Sequence, residues 1–144
     1  MSDRAASVVF ETDEDRARQQ VVADRLSRLW GCDIIKRKRL SQVDWSATRD
    51  GKLVAVMELK CRKNKRYWYP TLYVSQAKRQ ALIEESNTFH VPGIFVVQFT
   101  DELCWIKASD ITGNKTIAGR PRRQGSTHDI EPMIELPVGL LRKI

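Results

Sequence analysis

The stretch Val43–Lys60, VDWSATRDGKLVAVMELK, constrains the fold more than any other part of the chain. It reads as a β-hairpin. One strand-like run covers Val43–Arg49, a second covers Lys52–Lys60, and Asp50-Gly51 between them is a strong tight-turn signal. Residues two apart on a strand share a face, so Glu58 and Lys60 project together and Leu59 projects away. If the strands pair across Asp50-Gly51, Asp44 comes near Glu58 on that face; the register is an assumption at this point. Two carboxylates and an ammonium on one face are poor packing material. They suit a hard divalent cation with a water held beside it.

Composition narrows the setting. A chain of 144 residues with 42% hydrophobic content is expected to form one domain, residues 1–144, with a real core. No apolar run approaches a membrane span and no signal-peptide pattern opens the chain, so a cytoplasmic protein is expected. Cys32, Cys61 and Cys104 are scattered and form no CxxC pair, which speaks against a zinc site or a disulfide framework. The net charge is +7, and its distribution matters more than its size. Lys36–Arg39 is one basic cluster and Lys115–Arg123 another, and Lys60–Arg79 contains seven Lys or Arg and no acid. Clusters of this kind suit a polyanion.

Along the chain, Thr12 reads as a helix N-cap followed by Asp13, Glu14 and Asp15, where negative charge favours the helix dipole. The spacing of Val22, Leu26 and Leu29 predicts a helix over about 13–30, stopped by Gly31. A first strand is expected over Asp33–Leu40. Beyond Lys60, CRKNKRYWYPTLYV combines basic residues with four aromatics and fits neither helix nor strand period. Such a mixture can hold phosphates and stack on bases, or its aromatics can fold back on the core. Ser75 predicts the N-cap of a second helix over about 76–85. Ile94–Phe99 reads as a central strand and Leu103–Lys107 as its neighbour. The remainder is expected to be a basic loop over about 113–128 and an extension over 129–144, with Ile130–Leu136 as an edge strand because of Pro132.

Asp44 followed by Glu58-Leu59-Lys60 resembles the PD-(D/E)XK nuclease superfamily, with Val43 where the proline of the name would stand. The resemblance covers about residues 13–107. It implies an α/β restriction-endonuclease-like αβββαβ core, a mixed central sheet flanked by helices. It also implies a metal-dependent endonuclease that hydrolyses DNA phosphodiester bonds, with branched or nicked DNA in repair, recombination or phage replication as the expected substrate and RNA left open. Asp44, Glu58 and the Leu59 carbonyl would hold Mg²⁺, with Mn²⁺ also suited. Lys60 would orient or activate the attacking water. The helix before the hairpin often adds an acid in this superfamily. The usual position here is Gln19, so either Asp15 or Glu14 supplies the acid or Gln19 holds a water instead. The SQAKRQAL segment is similar to the helix that follows the ExK strand in members related to junction resolvases and RecB-type nucleases. That assigns Gln76 to the site first and Lys78 second. Arg62, Lys63, Lys65, Arg66 and Lys78 are the expected nucleic-acid contacts, and a homodimer is in keeping with the resemblance.

Other chemistries find less support. His90 and His128 are far apart, with no HxxxH spacing, and no Walker loop, GxGxxG or GxSxG occurs. Two rival readings keep the fold. One is a nucleic-acid-binding module that does not cleave. The other is a subunit of a larger complex that uses the aromatic stretch as a protein contact.

Overall fold

A computed structural model describes residues 13–38, 40–118 and 130–144 of the chain. The expectations for Thr12, Arg39, His128 and most of the basic loop lie outside those residues. Helix α1 spans Asp13–Trp30, as its periodicity predicts, and Gly31 follows it at φ 61. Strands β1 (Asp33–Lys36), β2 (Trp45–Arg49) and β3 (Lys52–Cys61) come next. After a short 3-10 turn at Arg66–Trp68, β4 (Thr71–Ser75) leads into helix α2 (Gln76–Phe89). The chain continues as β5 (Gly93–Gln98), β6 (Leu103–Lys107), β7 (Asn114–Ala118), β8 (Glu131–Pro137) and β9 (Arg142–Lys143).

The central sheet has the order β1-β2-β3-β5-β6-β9. It is mixed: β3 and β5 run parallel, joined through β4 and α2, and the other neighbours are antiparallel. β5 lies between β3 and β6, which explains its nearly continuous apolar sequence. The α1 side of the sheet buries Ala47, Met57, Leu59 and Val96 against Val22, Ala23 and Leu26. On the other side Val43 and Val56 pack with Ala81 and Leu82 of α2. Gly93 allows that packing, because a Cβ there would meet the Leu82 carbonyl oxygen at 2.9 Å.

Four expectations need correction. The first strand ends at Lys36, not Leu40, and α2 runs a turn beyond Glu85, to a left-handed His90 whose N–H caps Ser86 O. Thr71–Ser75 and Asn114–Ala118 are strands, not loop, and form a second sheet of order β4-β8-β7. β8, expected at an edge, is central in that sheet. Its pairing with β4 ends at Met133, so Pro132 has only β7 beside it and needs no ladder hydrogen bond on the β4 side. The second sheet buries Leu72, Val74, Ile134 and Leu136 against Phe95, Val97 and Ile106 of the central sheet.

Candidate active site

The hairpin turn has Asp50 at φ 52 and Gly51 at φ 77, the two positive angles of a type I′ turn. Such a turn with uninterrupted pairing would set Asp44 opposite Met57, on the face that packs against α1. The pairing is interrupted. Thr48 pairs with Leu53 but Ala47 pairs with Ala55, so Val54 is an extra residue in β3. The shift carries on through Trp45 opposite Met57, which places Asp44, just before β2, opposite Glu58. A one-residue slip moves every side chain beyond it to the other face. The bulge therefore turns Asp44 onto the face that Glu58 and Lys60 share, and leaves Trp45 and Ala47 in the α1 core.

Lys78, from the first turn of α2, bridges the two carboxylates. Its Nζ lies 2.9 Å from Asp44 Oδ1 and 3.8 Å from Glu58 Oε1. Glu58 is only 8% exposed. Burial and the neighbouring Asp44 charge push its carboxyl up to about 8. Burial opposes the Asp44 charge as well, but hydrogen bonding from Glu58 and the Lys78 cation outweigh it, and Asp44 lies below its ordinary value. One proton is thus shared unevenly, with Glu58 holding it. Burial alone would lower Lys78, yet Glu58 and Asp44 raise it.

Lys60 projects on the same face of β3. Burial and the adjacent Arg62 hold its ammonium below the usual lysine range, against the pull of Glu58 and Glu131. Arg62 is itself lowered by burial, and its Nε is buried without a hydrogen-bond partner among the described residues. Glu131 was not anticipated. It opens β8, accepts a hydrogen bond from Ser75 Oγ, and acts on both Lys60 and Lys78. The Ser75 hydroxyl also caps α2 by accepting from Lys78 N–H at 3.2 Å. No local signal identifies Glu131, since its approach depends on β8 pairing with β4.

The other candidates divide. Gln76 turns away, donating from Nε2 to Met133 O at 3.2 Å, while Lys78 reaches the carboxylates, so the order expected for these two is reversed. Asp15 is bound by Arg18 and lies beside Cys61 on the α1 side of the sheet, and among the described residues it completes no three-membered acidic group with Asp44 and Glu58. Among the described residues, Gln19 Oε1 is buried without a partner on that same side, as is Trp45 Nε1. The Leu59 side chain is in the α1 core, with its backbone between Glu58 and Lys60. Lys63 and Lys65 are exposed. Arg66 is not a surface cation: at 6% exposure, its guanidinium donates to Val138 O at 3.0 Å and to Leu141 O, and meets Glu102 at 3.5 Å.

No cluster of three or more acidic, His or Cys side chains is preformed for a metal among the described residues. The donor set nevertheless fits a hard cation. Two carboxylates are forced together, and the strain shows as a proton retained on Glu58, which a divalent cation can replace.

Helix, hairpin, crossover helix and parallel strand together make the restriction-endonuclease-like fold of the PD-(D/E)XK nucleases. The same fold occurs in Archaeoglobus fulgidus Hjc, a Holliday junction resolvase from an archaeal hyperthermophile. That structure superposes with a TM-score of 0.59 at 16% identity, covering 89% of this chain and 90% of its own. The family described as "Phage putative PDDEXK endonuclease" matches residues 5–144, and the chain belongs to it. No curated protein matches the chain.

Proposed function

We propose that the chain is a divalent-cation-dependent DNA endonuclease acting on branched or nicked DNA in phage replication, recombination or repair. The observation that carries this reading is the bulge at Val54, which aligns Asp44 with Glu58 beside Lys60 and Lys78. Asp44, Glu58 and the Leu59 carbonyl would hold Mg²⁺ or Mn²⁺. The ion, when bound, neutralises the phosphate and lowers the cost of generating a nucleophile from water.

The protein's own side chains supply the rest. Lys60, depressed by burial, gives up its proton more readily than a free lysine, which suits a group that orients water and accepts its proton. The water oxygen bonds to phosphorus, the bond to the leaving oxygen breaks, and that oxygen takes up a proton. Lys78 keeps the two carboxylates aligned and adds positive charge at the phosphate. Arg62, whose Nε next to Lys60 has no partner among the described residues, is suited to a phosphate oxygen. Gln76 stays a candidate only if its bond to Met133 is released. Cutting both strands of a branch needs two such sites, so a homodimer belongs to this reading, and the mass in solution tests it.

The deciding assay offers branched, flapped, single-stranded and linear duplex DNA with Mg²⁺, Mn²⁺ or EDTA. Wild type should cut branched or flapped DNA with either ion, and neither Asp44→Ala nor Lys60→Ala should. Tight binding by wild type with no cutting of any substrate would sink the proposal and favour a binding module.

A further inference from the structure

Three consecutive aromatic side chains stay in solvent on the loop leaving β3. Tyr67 is 67% exposed, Trp68 62% and Tyr69 61%. Three exposed aromatic side chains in a row leave apolar surface in water that burial would have stabilised. The loop is nonetheless tied down. The buried Arg66 guanidinium spends its donors on the carbonyls of Val138 and Leu141, and the Arg66 N–H donates to Asp101 Oδ1 at 3.0 Å. Thr100 N–H donates to Asn64 O at 3.1 Å and Val138 N–H to Pro70 O at 3.0 Å, which fixes the triplet on both sides. Arg66 Cζ also lies 4.9 Å from the centroid of the Tyr67 ring and supports it. A charged side chain is thus buried so that aromatic ones are held out in a set conformation.

The surroundings indicate the ligand. Lys63 and Lys65 are exposed on the same loop, and no acid occurs between Lys60 and Arg79. The loop also continues directly from the strand that carries Glu58 and Lys60. Flat aromatic faces flanked by cations match bases and phosphates. A continuous duplex presents only base edges, whereas an unpaired base offers a face.

We propose that Tyr67, Trp68 and Tyr69 form a stacking platform for unpaired DNA bases next to the candidate active site, with Lys63 and Lys65 on the adjoining phosphates. The platform selects flaps, gaps and branch points over continuous duplex. Its relation to cleavage rests on the endonuclease reading; its binding does not.

The test measures binding by the full-length protein in EDTA, to a labelled single strand and to a blunt duplex of equal phosphate count. Trp68→Ala should weaken single-strand binding about tenfold, the scale of one lost base stack, and leave duplex binding within about twofold. Trp68→Phe should retain most of the affinity, which separates stacking from a folding defect. A paired Lys63→Gln, Lys65→Gln variant should weaken both substrates alike. A 2-aminopurine at the unpaired position of a flap should be quenched by wild type and not by Trp68→Ala. Equal losses on both substrates, no loss on the single strand, or Trp68-dependent preference for RNA of the same sequence would each overturn the platform. Cutting is scored separately with Mg²⁺. Trp68-dependent binding without cutting defeats the endonuclease reading and supports the platform, whereas cutting without Trp68 dependence does the reverse.

Discussion

The two faces of β3 are made from alternate residues of one strand and do opposite work. Met57 and Leu59 are buried against α1, where burial of apolar surface stabilises the fold. Glu58 and Lys60 face the other way, and burial works against the charge of both. A charged face this deep survives because its members compensate one another: Lys78 bridges the carboxylates, and Glu131 and Glu58 offset the crowded cations. The contrast teaches that the site is a region of local instability held in place by the apolar face behind it.

Substitutions on the two faces should therefore separate activity from stability. On the charged face, Asp44→Ala should reduce cleavage by about a thousandfold or more, because a cation held by one remaining carboxylate loses both affinity and position. The fold should persist, as circular dichroism would show. On the apolar face, Met57→Ala should cost roughly 2–4 kcal/mol in denaturant unfolding, from lost burial and the cavity left behind. The folded fraction of Met57→Ala should cut at nearly the normal rate at low temperature. A Met57→Ala protein of normal stability, or an Asp44→Ala protein of normal activity, would remove the distinction.

That distinction was only partly legible in the sequence. The strict alternation at Glu58-Leu59-Lys60 is a local property, and so is the turn at Asp50-Gly51, so the chemistry of one strand could be read directly. The bulge at Val54 is different: nothing in LVAV marks which residue is extra, yet it decides which face Asp44 joins. Helix α1 was legible because its apolar spacing and Gly31 agree. The second sheet was not, because β4 follows a cationic, aromatic stretch with no clear period and Pro132 argues against a central strand. With that sheet unseen, Glu131 could not be placed. The aromatic stretch resisted reading for a further reason: only the buried Arg66 shows that the rings are held outward, and an arginine in a basic run reads as surface.

The proton on Glu58 sharpens the contrast in a metal-free measurement. Its folded value of about 8 stands above the ordinary 4.5, so the folded protein binds that proton more tightly than the unfolded chain does. The resulting stability is fully present below about pH 4.5 and is lost as pH rises to about 8. Asp44 is shifted the other way, so its contribution is present above its ordinary value and is lost only as pH falls through its lowered one, outside that window. Chemical denaturation in EDTA between pH 5 and 8.5 should show a decline on the order of a few kcal/mol. Glu58→Gln should flatten the decline, leaving an inactive protein that is more stable than wild type at the alkaline end. A wild-type profile level across this range would show that Glu58 does not keep the proton.

The smallest effect expected concerns Glu131, where charge and structure can be told apart. Its carboxylate accepts from Ser75 Oγ and counters the positive field on Lys60. Glu131→Gln keeps an acceptor for Ser75 and removes the charge. It should leave thermal stability nearly unchanged and move the acid limb of the pH–rate profile to lower pH, because Lys60 loses its proton more easily. Ser75→Ala removes the α2 cap instead. It should cost about 1 kcal/mol of stability while shifting the pH–rate profile less than Glu131→Gln does. If Glu131→Gln destabilises the protein as much as Ser75→Ala and leaves the profile in place, Glu131 belongs to the packing of the second sheet and not to the charged face of β3.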